Sequence, residues 1–206
     1  MMDITIFNRM RKDSGFLTLD ELGGLCEAGN IIYDPFSTLI YKDIKIGKGN
    51  IFFPNVILAG KNGNTLEIGD SNTFYSNTSI DASAGPVFIG SENQFGEGGF
   101  TVKANRTGAV VKIGNHGRYL GGASVFGVSD LQSGSQILGQ ITVDSCTLES
   151  GCGWHELSPD ERAGLLKGFG TARNLNIPRG RVINGAGRFE ESGIELQSVY
   201  HPVKKA

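Results

Sequence analysis

From Ile113 onward an apolar side chain returns at every sixth position: Ile113, Tyr119, Val125, Leu131, Ile137 and Val143. A helix repeats every 3.6 residues and a plain strand every 2, so neither accounts for a spacing of six. Upstream the same rhythm is carried by a phrase. "IKIGKGN" (44–50) recurs as "LEIGDSN" (66–72), "VFIGSEN" (87–93) and "VKIGNHG" (111–117), with starts 22, 21 and 24 residues apart. Six residues after each phrase isoleucine stands an aromatic, Phe52, Phe74, Phe95 and Tyr119, and six further on stand Leu58, Ile80, Thr101 and Val125. Each unit is three sixes plus a few extra residues, which fall within 59–65, 82–86 and 103–109. Self-similarity of this kind marks a solenoid.

A triangular coil explains the pattern. One short strand covers each face, a tight turn makes each corner, and one residue in six points into the prism. Asn50, Asn72, Asn93 and Gly117 share one turn position. Asn and Gly tolerate positive φ best, so the left-handed turn residue is expected there. Successive coils stack through parallel-strand hydrogen bonds at ~4.8 Å, so like residues form ladders. No single coil buries its own core. An ordinary β-sandwich would alternate without fixed sixes.

The hexads "[IVL]-G-x-x-[N/G]" at 46–51, 68–73, 89–94 and 113–118 resemble the hexapeptide-repeat superfamily, over roughly residues 40 to 150. The resemblance implies an all-β fold, a single-stranded left-handed parallel β-helix. It also implies acyltransferase activity with acetyl-CoA or another acyl-CoA as co-substrate, a homotrimer, and an active site in the groove between neighbouring prisms. Noncatalytic scaffolds and carbonic-anhydrase-like metal enzymes share that fold, so function has to be argued from a site.

The chain divides into an N-terminal cap (1–39), the β-helix (40–150) and a C-terminal extension (151–206). In the cap, Thr18 and Glu21 form a capping-box signature for a short helix reaching about Ala28, placed to cover the open end of the prism. After Val143 the sixes fail, since position 149 is Glu. The stretch "SPDERAGLLKGFGTAR" predicts a helix, with Ser158 as N-cap, Pro159 in the first turn and Asp160 and Glu161 near the positive dipole end. "GRVINGAG" and "IELQSVYH" read as short strands around a loop.

Composition narrows the partners. The 206 residues carry a net charge of −2 with no basic stripe, which argues against nucleic acid and anionic membranes. There is no signal-like apolar run and no ~20-residue apolar span. Cys26, Cys146 and Cys152 are odd in number and form no CxxC pair, which fits a reduced, cytoplasmic setting. The 31 glycines, without a collagen period, supply turns.

Acyl transfer needs a general base beside the acceptor and donors for the developing oxyanion. The repeat selects His116. It lies three residues past Ile113, at a turn whose equivalents are Gly49, Ser71, Glu92 and Gly134. Glu92 is therefore one rung away, able to fix the imidazole tautomer, and Gly134 leaves space on the other side for a small-molecule acceptor, a sugar or a small amine. The alternative is a solvated turn histidine. His155 is read as structural at the cap, with entry into the same groove as the alternative, and His201 as an exposed tail residue. Lys103 and Arg106, in the longest insertion, are candidates for the CoA phosphates, against a plain solvated loop. From the family geometry, the turn Gly121, Gly122 and Ala123 is a candidate lining for the pantetheine arm. His116, His155 and His201 are too far apart in sequence to suggest a local metal site.

Overall fold

A computed structural model describes residues 4–61 and 63–201. The chain winds as a parallel β-helix with three strand ladders. The first face stacks Ile31–Ile32, Ile51–Phe52, Thr73–Phe74, Gln94–Gly96, Arg118–Leu120 and Gln136–Leu138. The second stacks Leu39–Ile40, Ile57–Gly60, Thr78–Ala82, Phe100–Lys103, Ala123–Phe126 and Ile141–Asp144. The third stacks Lys45–Ile46, Leu66–Ile68, Val87–Ile89, Val110–Ile113, Val128–Leu131 and Thr147–Leu148. Every one of these pairings is parallel.

The ladders place like side chains on like. Ile46, Ile68, Ile89, Ile113 and Leu131 share a register on the third face. On the first, Phe52 and Phe74 stack at 5.0 Å, Phe74 and Phe95 at 5.0 Å, and Phe95 and Tyr119 at 5.5 Å. All four rings are fully buried. Burying each such side chain contributes roughly 1.5–3 kcal/mol. The column begun by Leu58 and Ile80 continues through Val102, not Thr101. The turn over 96–99 holds one residue more than its neighbours, with positive φ at Gly96, Glu97, Gly98 and Gly99, and this shifts the inward position by one.

The expected asparagine turn is also displaced. Positive φ falls at Gly49, Ser71, Glu92 and His116, one residue before the asparagines. Asn50, Asn72 and Asn93 instead point inward and are buried. The Oδ1 of Asn50 accepts from the backbone N–H and the Nδ2 of Asn72, and the Oδ1 of Asn72 accepts from the same two groups of Asn93. The ladder starts at Asn30 and ends where the Gly117 N–H donates to Asn93. These amides satisfy corner backbone groups that the strand ladders leave open.

Two helices close the N-terminal end. Helix α2 (Leu19–Glu27) carries the expected capping box between Thr18 and Glu21, and its Leu22 is buried in the core. Helix α1 (Ile4–Asp13) has no counterpart in the sequence reading. It is anchored by Arg11, which is 8% exposed and whose guanidinium donates to the carbonyls of Leu17, Pro35 and Thr38 at 2.6, 3.2 and 2.7 Å. Burial lowers the pKa of this group.

The predicted C-terminal helix does not form. Ser158 to Glu161 make only a 3-10 turn (Pro159–Glu161), followed by the strand Leu165–Arg173. The ladders outcompete the helical signal here. Leu166 pairs with Ile137 in the aromatic column and Ala172 with Val143 in the second, while Gly168 and Gly170 take φ of 115° and 142°, which glycine alone adopts readily. The third column likewise continues from Leu131 through Leu148, one residue ahead of Glu149, to Ile177. The coil is thus interrupted after Gly151 and resumes at Gly164, whose carbonyl accepts from Gln136 as that of Gly117 does from Gln94. Strand Arg181–Arg188 stacks in parallel on Leu165–Arg173 and pairs antiparallel with Glu195–Leu196, so both stretches read as short strands do form strands.

Candidate active site at the corner of Glu92 and His116

The corner between the third and first faces carries a column of left-handed residues: Gly49, Ser71, Glu92, His116 and Gly134, with φ of +72°, +58°, +60°, +56° and +81°. Glu92 and His116 are exposed, so their side chains project from the prism edge rather than into it. Parallel stacking separates adjacent rungs by ~4.8 Å, close enough for side-chain contact. The Nδ1 of His116 lies 3.2 Å from the Oε2 of Glu92. Their side chains are 58% and 59% exposed, so the pair contributes little to the stability of the fold. With Nδ1 on the carboxylate, Nε2 is the nitrogen left to meet an acceptor.

The break in the coil supplies the rest of the site. Residues 152–163 leave the prism at this same corner and fold back toward it. The Nε and Nη2 of Arg162 donate to the Glu156 carbonyl at 2.8 and 2.5 Å, and Cys152 bridges to Arg162. This brings Gly153, Trp154 and His155 opposite Glu92, Gln94, His116 and Gly117, around a cleft of about 340 Å³. The Arg118 guanidinium lies 4.7 Å from the centre of the Trp154 ring. The cleft therefore combines an oriented imidazole, a second imidazole, an amide and an indole N–H. That set can hold a polar molecule and move one of its protons.

His155, read from the sequence as structural at the cap with groove entry as the alternative, lines the cleft. Trp154, Gln94 and Arg118 escaped the sequence reading because nothing in the hexad rhythm shows an excursion returning to its own corner. Lys103 and Arg106 lie at or beside the turn between the second and third faces, and Gly121 and Gly122 at the turn between the first and second. Within one protomer, these are different corners from His116. The Nη2 of Arg106 is 2.6 Å from Asp144, which also receives Arg173 at 3.5 Å. Gly121 has φ +83°, and a β-carbon there would lie 2.8 Å from the Gly139 backbone, so its smallness serves coil stacking. Ala123 is fully buried. His201 lies near Arg162 and Lys167; burial, then those two charges, lowers its pKa.

Among the described residues, no cluster of three or more His, Cys, Asp or Glu side chains is arranged to hold a metal ion. No helix there is long and apolar enough to cross a membrane. Compared with known proteins, the sequence matches no family model and no curated protein.

Proposed function

We propose that this β-helix is an acyl-CoA-dependent O- or N-acyltransferase of the hexapeptide-repeat class, acting on a sugar or small amine as a cytoplasmic homotrimer. One observation carries the reading: His116, with its Nδ1 3.2 Å from Glu92, lines a cleft together with Trp154 and His155. In this scheme the Nε2 of His116 takes the proton of the acceptor hydroxyl or amine as that group attacks the thioester carbonyl. Glu92 holds the tautomer and offsets the charge of the imidazolium. Collapse forms the ester or amide bond, breaks the C–S bond, and the thiolate takes the proton back from His116. The Gln94 amide and the Trp154 indole N–H are the donors available for the oxyanion. Acetyl-CoA or another acyl-CoA supplies the acyl group, and Lys103, Arg106, Gly121 and Gly122 serve it from a neighbouring subunit, whereas the buried Ala123 is out of its reach.

The trimer follows from the resemblance to the hexapeptide class, in which an adjacent prism would close the cleft and bring different corners together. Thermal shift with CoA tests the reading directly, since a ligand that binds the native state raises the melting temperature. Stabilisation by CoA together with turnover that depends on His116 is expected. Indifference to CoA and acetyl-CoA would favour a noncatalytic scaffold.

A further inference from the structure

Arg118 is placed for a role that the His116 mechanism does not use. It sits on the strand Arg118–Leu120, in register with Gln94 of the cleft wall, and is two residues from His116. Its Nε is buried without a hydrogen-bond partner. Its guanidinium lies over the Trp154 ring, and among the described residues no carboxylate reaches it. A guanidinium stacked on an indole with one N–H already desolvated has lost part of its hydration, so an anion meeting its remaining N–H groups gains more than it would in water. The planar fork suits an oxyanion.

We infer that Arg118, held on Trp154 beside this cleft, is an oxyanion-recognition element at its edge, so that the acceptor carries a carboxylate or phosphate group. The inference rests on the acyltransferase reading for the word acceptor, but not for the binding itself. Trp154 is the only tryptophan in the chain, so its emission reports on this site alone. The test titrates the full chain at pH 8 with sodium phosphate and with sodium acetate, against sodium chloride at equal ionic strength. A saturable change with either oxyanion and none with chloride is expected. R118Q should weaken it at least about tenfold, R118K by less, and H116A should retain it. Melting curves confirm that each variant folds, and R118K carries the test if R118Q does not. No saturable change, or one that is unaltered in both Arg118 variants, overturns the proposal. CoA is the second arm. If CoA displaces phosphate through Arg118, the anion belongs to the co-substrate and the acceptor assignment fails; if CoA binds while phosphate stays, the assignment stands. A phosphate response with no binding of CoA would keep the anion site and sink the acyltransferase reading instead.

Discussion

The hydroxyl of Tyr119 occupies the space that any side chain on Gly117 would need. Below them, each coil pairs an inward asparagine with an inward phenylalanine: Asn50 with Phe52, Asn72 with Phe74, Asn93 with Phe95. At Gly117 and Tyr119 the polar atom has moved from one partner to the other, and the phenol bonds the Ser135 hydroxyl at 2.9 Å. Burial pushes its pKa well above the ordinary phenol value, so it stays a neutral hydrogen-bonding group. Y119F should cost about 1 kcal/mol, and G117N about 2 kcal/mol through overpacking. The double variant G117N/Y119F restores the lower rungs' pattern and should be more stable than G117N alone, with a coupling of about 1–3 kcal/mol. Urea denaturation of the four proteins measures it; simple additivity would show that the two positions do not share one space.

The asparagine ladder makes a second prediction. Asn72 is fully buried, donates through Nδ2 to Asn50 and to the Gly90 carbonyl, and accepts from two Asn93 groups. N72A strips the Asn93 backbone N–H and the Gly90 carbonyl of these partners inside the prism. Each buried group left unpaired costs about 1–3 kcal/mol, so a loss of about 3 kcal/mol is expected in chemical denaturation. A cost below about 1 kcal/mol would mean that water replaces the amide and that the ladder is incidental.

These relationships mark how far the sequence could be read. The isoleucine and phenylalanine columns were legible because one inward residue per six leaves a period that no other fold imposes. Thr18 and Glu21 were legible because a capping box is local. The departures have one physical source, since stacking decides by rung rather than by count. An extra glycine-rich residue at 96–99 moved Val102 into the column that sixes assign to Thr101. Positive φ falls on Gly49, Ser71 and Glu92 rather than on the asparagines, because the asparagine amides are wanted inside, and His116 keeps the same corner position ahead of Gly117. The 158–170 segment has a true helix-start signature, yet Leu166 and Ala172, themselves six apart, could be buried only by resuming the coil. That spacing was the available signal, hidden by the excursion before it. The cleft was legible only as the Glu92–His116 rung, because its other wall comes from that excursion.

Helix α2 gives a pH prediction. The Glu21 carboxylate accepts from the Thr18 backbone N–H at 2.8 Å and from its hydroxyl at 3.0 Å, and these bonds, the backbone one first, hold its pKa below the ordinary value of 4.5. A folded-state pKa that is depressed adds stability above the unfolded pKa, and that stability is lost as pH falls through the depressed value. The wild-type protein should therefore lose stability below about pH 4.5, and E21Q should lose less over the same interval. Melting temperatures of both proteins from pH 6 to pH 3 supply the comparison. T18A, which also removes the hydroxyl cap on the Glu21 N–H, should cost about 1 kcal/mol at pH 7.

The strongest prediction concerns the corner itself, where stability and activity should move in opposite directions. His116 holds φ at +56°, a conformation that costs a residue with a β-carbon about 1 kcal/mol relative to glycine, and its exposed side chain returns little packing. Gly49 and Gly134 occupy the same corner without that strain. H116G should therefore raise stability by about 1 kcal/mol, or ~2–4 °C in melting temperature for a chain of this size, while turnover falls by about 10²–10⁴-fold. E92A should reduce turnover by about tenfold in the wild-type background and by nothing further once His116 is gone, because a group that acts only by orienting the imidazole has no effect without it. Calorimetry and steady-state kinetics on the single and double variants read both quantities. If H116G melts lower, the histidine is kept for the fold. If E92A and H116G multiply in rate, Glu92 acts on the substrate by itself and the proposed division of roles is wrong.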